Sequence, residues 1–139
     1  MAVNARFVNV DDFTRKLSAF ANKAAPEKFD TIMTKVVSDL LTSVVFLTPV
    51  DTGRLRGGWQ VGEQIDMASE MPPDPGGRAT IDRAMGSITA IRGQGSLIGK
   101  KLYLYNNVFY AEYIEFGTEK IAPFAMLRES ISIVQATFA

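Results

Sequence analysis

The chain contains no cysteine and no histidine. Without cysteine it forms neither disulfides nor thiolate metal sites. Without histidine it lacks the commonest general base and the commonest metal ligand. Few candidates remain for nucleophilic catalysis. Neither sign of charge is in excess, because fifteen Lys and Arg balance fifteen Asp and Glu. A protein that wraps nucleic acid usually carries a strong basic surplus, so that class is disfavoured. No segment has the length and unbroken apolarity of a membrane span. The start Met1-Ala2-Val3-Asn4-Ala5-Arg6 lacks the apolar core of a signal peptide. Internal repeats and low-complexity tracts are also missing. These absences read as a soluble intracellular product with no cofactor, no metal site and no membrane partner.

What is present suits one domain, residues 1–139. At 47% hydrophobic and 22% charged residues, the composition is ordinary for a globular chain. A chain of this size buries about two-thirds of its unfolded surface, enough for one core. The organising stretch is Pro26 to Thr48. Phe29, Ile32, Met33, Val36, Val37, Leu40, Leu41, Val44, Val45 and Leu47 hold the i, i+3, i+4, i+7 pattern throughout. That places a wide apolar stripe along an α-helix roughly 33 Å long. Pro26 suits the first turn, where a missing N–H costs nothing. Thr48 precedes Pro49, and residues before proline avoid the α region, so the helix stops there. The turn Val50-Asp51-Thr52-Gly53-Arg54-Leu55-Arg56 follows at once.

The remaining segments read as material laid against this helix. Arg6 to Val10 suits a short strand. Asp11 or Asp12 can cap a helix running to about Lys23, with Phe13, Leu17 and Phe20 on one face. Gly58 to Ile65 suits a strand with Trp59, Val61, Glu63 and Ile65 on one side. Residues 66–77 are rich in Pro and Gly without periodicity, which reads as a flexible loop or arm. Arg78 to Ile91 carries Ile81, Ala84, Met85, Ile88 and Ile91 at helical spacing. Arg92-Gly93-Gln94-Gly95-Ser96 is a flexible joint. Lys100 to Val108 suits a strand, with Leu102, Leu104 and Val108 on one side and Tyr103, Tyr105 and Asn107 on the other. Tyr110 to Phe116 suits a short helix ended by Gly117. Pro123 is placed to open a last helix, with Phe124, Leu127, Ile131, Val134 and Phe138 in a 3-4 alternation along it. This order is α+β: a small antiparallel sheet packed against a long helix, with N-terminal and C-terminal helices.

Several chemical signatures are tempting and weak. Asp51-Thr52-Gly53 spells the active-site triplet of aspartic proteases. That chemistry needs two carboxylates about 3 Å apart sharing a proton, as in a dimeric enzyme with one triplet per subunit. In those enzymes the triplet sits in a β-rich barrel, whereas here it follows a long helix. A helix-ending turn is the plainer reading, with Asp51 accepting backbone hydrogen bonds and Gly53 at positive φ. Gly93 to Lys101 fails the phosphate-loop spacing and leads into a strand where a helix is needed. Asp66, Asp74 and Asp82 lack metal-ligand spacing. Lys35 and Ser38 read as solvated helix positions. Arg54, Arg56, Arg78, Arg83, Arg92, Lys100 and Lys101 gather near the turn and loops. They suit either contact with phosphate or an acidic partner, or ordinary loop charge balanced by neighbours.

Three stretches in order carry a resemblance. They are Thr48-Pro49-Val50-Asp51-Thr52-Gly53-Arg54-Leu55-Arg56-Gly57-Gly58-Trp59, then Tyr105-Asn106-Asn107-Val108-Phe109-Tyr110-Ala111-Glu112-Tyr113-Ile114-Glu115-Phe116-Gly117-Thr118, then Ala122-Pro123-Phe124. From about Phe29 onward the chain resembles the neck and tail-completion (head–tail joining) proteins of long-tailed bacteriophages. It departs from many relatives at Ile121 to Ala125, where a longer aromatic and glycine-containing segment is common. The resemblance implies a virion structural protein rather than an enzyme. It implies a homo-oligomeric ring at the head–tail junction, a hexamer or alternatively a dodecamer, assembled in the host cytoplasm. Such a ring completes the tail and joins it to the capsid connector. It contacts neighbouring connector and tail-tube proteins, while DNA passes through without sequence-specific binding. A near-neutral chain suits a channel that lets DNA slide. Aromatic and arginine side chains anchor interfaces, so Arg54, Arg56, Tyr103, Tyr105, Tyr110 and Tyr113 are candidate contact residues, together with Glu115 of the second motif. Trp59, Leu102, Leu104 and Phe116 are expected inside. The loop 66–77 is then an arm that orders on a neighbouring ring. Other classes remain: the dimeric aspartic protease, and a toxin-like or regulatory binding module.

Overall fold

The computed structural model describes residues 15, 16, 19 and 25–137. The strand expected at 6–10, most of the helix expected at 11–23, and Phe138 lie outside those residues. The described elements are helix α1 (Pro26–Leu47), a one-turn helix α2 (Arg54–Gly57), strand β1 (Trp59–Gly62), helix α3 (Arg78–Gly93), strand β2 (Tyr103–Asn106), helix α4 (Ala111–Phe116) and helix α5 (Met126–Ala136). The architecture is α+β, as the order of periodicities requires.

Helix α1 is the centre of the packing. Its stripe buries Phe29, Val36, Val37, Leu41, Val44 and Val45. Helix α5 packs along one side, with Val134 against Val36 and the Ser130 hydroxyl 2.9 Å from that of Ser43. Helix α3 packs on another side, with Ala84 and Ile88 in the main core and Ile91 against Phe29 and Leu97. The strands pair antiparallel, Trp59 opposite Asn106 and Gly62 opposite Tyr103. Strand β1 lies against α3, and Trp59 is fully enclosed.

Three expectations are corrected. Both strands are shorter than the alternation suggested. Strand β2 stops at Asn106 because that side chain turns inward: its Oδ1 accepts the Val108 N–H at 3.0 Å and its Nδ2 donates to Leu55 O at 2.7 Å. The ladder therefore loses its next partner to a side chain. The last helix begins at Met126, not Pro123. Residues Phe124 and Ala125 instead donate backbone N–H groups to Ile114 O and Glu115 O, at 2.9 and 3.1 Å. Phe124 consequently lies before the helix, outside its alternation, and is exposed. Phe116, expected inside, is 36% exposed and lies under the Arg128 guanidinium, 4.7 Å from its ring centroid.

Candidate functional site

The motif after α1 folds into a hydrogen-bonded knot. Pro49 ends the helix, and Thr48 is left buried at its end. The Thr48 hydroxyl donates to Val44 O at 2.6 Å and accepts the Trp59 indole N–H at 2.8 Å. Arg56 donates to Thr48 O at 2.9 Å and to Pro75 O at 2.7 Å. Gly53 sits at φ 87, as expected, where a side chain is strained. A Cβ at Gly57 would lie 2.3 Å from Pro72 O, so only glycine admits the crossing strand of loop. Asp51, expected to accept backbone hydrogen bonds, is exposed and accepts none among the described residues. The Thr52 hydroxyl takes the Arg54 N–H instead, at 3.3 Å.

The loop 66–77 is irregular, and its own chain ties it down. Asp74 N–H donates to Gly53 O at 3.0 Å. The Asp74 carboxylate accepts the Thr80 N–H and hydroxyl, both at 2.8 Å, and so caps the start of α3. Burial pushes this carboxyl up. The bonds from Thr80 and Gly77 N–H, with the charge of Arg83, outweigh it and hold the group below its ordinary range. Asp66 is likewise held low by the Ser69 hydroxyl and by the Ala68 and Ser69 N–H groups. Asn107 Nδ2 donates to the carbonyls of Asp66 and Ser69. Arg83 donates to Gly57 O and Trp59 O, at 2.9 and 3.1 Å, beneath the strand start.

Beside the knot lies an open groove of about 570 Å³ between the turn and α4, lined by Val50, Asp51, Tyr110, Ile114, Ile121 and Phe124 among others. Around this end of the molecule Phe109 is 63% exposed, Tyr113 55%, Phe124 49%, Ile121 44% and Val50 43%. These large apolar side chains are exposed at one end of the molecule, where apolar groups held in water are characteristic of interaction sites.

The expected contact residues divide. Arg54 reaches this face: it pairs with Glu70 at 3.1 Å and lies over the Phe109 and Tyr110 rings, at 5.6 and 5.9 Å from their centroids. Tyr110 lines the groove, and Tyr113, three residues on in α4, is exposed. Tyr103 is half-buried at the far end of the sheet. Tyr105 is buried, its hydroxyl donating to Gln60 Oε1 at 3.2 Å. Arg56 braces the knot. Glu115 is wholly enclosed and caps α5. It accepts the Leu127 N–H at 2.8 Å, the Arg128 N–H at 3.2 Å and Arg128 Nε at 2.9 Å. Sequence reasoning missed the internal hydrogen-bonding roles of Asp74 and Asn106 and the groove wall of Ile121 and Phe124. The Pro-Asp-Pro-Gly run at 73–76 held the only local hint of the first.

Among the described residues no group of acids is placed to hold a metal ion, and no helix is long and apolar enough to cross a membrane. A family model described as "Bacteriophage HK97-gp10, putative tail-component" matches residues 11–117. The chain matches no curated protein and no solved structure.

Proposed function

The chain belongs to the HK97-gp10-like family of bacteriophage tail components, and from that premise we propose that it forms a ring in the phage neck, completing the tail and joining it to the capsid connector. The family gives it a structural role in the virion and tail proteins as neighbours. The ring is a hexamer, or in the alternative closure a dodecamer, with DNA passing through its centre. Neighbouring subunits meet head-to-tail and close by rotation, which requires two different surfaces on each copy.

The exposed aromatic and arginine face beside the groove carries this reading. Phe109, Tyr110 and Tyr113 with Arg54 are the side-chain types that dominate interface energetics. A monomer gains nothing from holding them in water. Equal numbers of acids and bases suit a channel that lets DNA slide. Nothing in the geometry favours the aspartic protease. Asp51 lies on an exposed bend between two helices, and that chemistry needs a facing pair of carboxylates.

The test is to locate the protein in images of intact particles and to assay joining in variants. Arg54→Ala is expected to leave the fold intact, because an exposed ion pair contributes about 1 kcal/mol or less, yet to lower the yield of joined particles. Arg56→Ala is expected to lower stability itself. Normal assembly by the Arg54 variant would remove this residue from the contact. Density absent from the junction of head and tail would remove the reading.

A further inference from the structure

The face beside the groove is one surface of the proposed ring, and a second surface lies at the opposite end of α1. There the chain runs Arg92-Gly93-Gln94-Gly95-Ser96-Leu97-Ile98-Gly99-Lys100-Lys101, with three cations and no acid. This loop is held in place. Leu97 is buried against Phe29 and Ile91. The Asp30 carboxylate accepts the Ser96 hydroxyl at 2.9 Å and the Leu97 N–H at 2.8 Å. With Leu97 pinned inward, its neighbour Ile98 is left 42% exposed at the tip. Lys101 is exposed and has no acidic partner among the described residues, and Arg92 reaches only the Thr34 hydroxyl, at 3.1 Å.

The groove carries the complementary chemistry. Its two charged lining residues are Asp51 and Arg54. Glu70 pairs with Arg54, and Asp51 has no counter-charge among the described residues. Its walls, Val50, Ile114, Ile121 and Phe124, are apolar. The two sites are separated by the length of the 22-residue helix, roughly 33 Å. One copy therefore cannot fill its own groove, whereas a second copy can.

We propose that the 92–101 loop of one copy docks in the groove between the turn and α4 of the next, with Ile98 among Val50, Ile121 and Phe124 and Lys101 opposite Asp51. The contact is head-to-tail, as ring closure needs. This inference rests on the ring reading and supplies its interface.

The cysteine-free chain allows a direct test. In the full-length protein, Val50→Cys and Ile98→Cys are introduced together and singly, and disulfides are formed by mild oxidation. The double variant is expected to give a ladder of linked oligomers that ends at the ring. An equimolar mixture of the two single variants is expected to give a linked heterodimer and no longer species. Lys101→Glu is expected to reduce linking several-fold, and adding Asp51→Lys to restore it. A lysine-reactive cross-linker on the unsubstituted protein separates the two readings. Oligomers with that reagent but no disulfide ladder would overturn the loop contact and leave the ring. Oligomers with neither would overturn both.

Discussion

Replacing Thr48 with valine keeps the outline of the side chain and removes one oxygen. That oxygen serves two partners at the end of α1. It accepts the Trp59 indole N–H at 2.8 Å and donates to Val44 O at 2.6 Å, in a place where Thr48 is 1% exposed and Trp59 not at all. Water does not reach the indole to replace the bond. An orphaned buried donor costs about 1–3 kcal/mol, and the Val44 carbonyl adds about 1 kcal/mol more, so Thr48→Val is expected to cost about 2–4 kcal/mol. Thr48→Ser is the control. It keeps the oxygen and loses one methyl, at about 1 kcal/mol. Urea unfolding followed by far-ultraviolet circular dichroism gives both values, provided the slope against urea is unchanged. The single tryptophan of the chain reports on the same spot by fluorescence. Trp59→Phe should cost less in the Thr48→Val background than alone, since the donor is then already unpaired. If valine costs no more than serine, the hydroxyl is not what joins the helix end to the strand, and the account of the knot is wrong.

Further outcomes follow from the same contacts. Glu115→Ala removes the acceptor for the first N–H groups of α5 and is expected to cost about 2–4 kcal/mol by chemical denaturation; Arg128 is partly exposed, so its stranded charge relaxes into water and the cost stays below that of a fully buried pair. The ionised Asp74 is favoured in the fold, so its contribution is complete above the ordinary carboxylate pKa of about 3.9 and is lost as pH falls through its lowered folded value. Melting temperatures measured from neutral pH down to about pH 3 should therefore fall less steeply in Asp74→Asn than in the parent; equal slopes would remove the residue from the acid response. Gly57→Ala places a Cβ 2.3 Å from Pro72 O and is expected to cost about 1–3 kcal/mol and to speed proteolysis within residues 66–77. Cleavage at the parent rate would mean the loop is not held by the turn.

Much of this was legible in the order of residues. The stripe from Phe29 to Val45 has one period and one stop signal, so α1 follows from local rules and ends beside Pro49 as expected. Helix α3 follows in the same way, and Gly53 at positive φ follows from the turn it must make. The motifs themselves pointed to a phage neck or tail-completion protein, and the family match over residues 11–117 agrees. Less legible was the division of labour inside the motifs. Nothing in the spelling separates Arg54, which reaches the surface, from Arg56, which braces a carbonyl eight residues earlier. Tyr105 was a candidate contact residue on the side opposite Leu102 and Leu104, yet the fold buries it beside Gln60.

By itself, then, the sequence determined the two long helices α1 and α3, the break after Thr48 and the class of protein, because each depends on period, on proline and glycine stereochemistry, or on short ordered motifs. Only the tertiary structure decided which polar groups are internal. Asp74 reaches Thr80, Asn106 reaches Leu55, and Glu115 reaches the start of α5, twelve residues on. A buried hydrogen bond depends on where two segments meet in space, and that meeting is set by the packing of the whole core against α1, not by any neighbour in the chain.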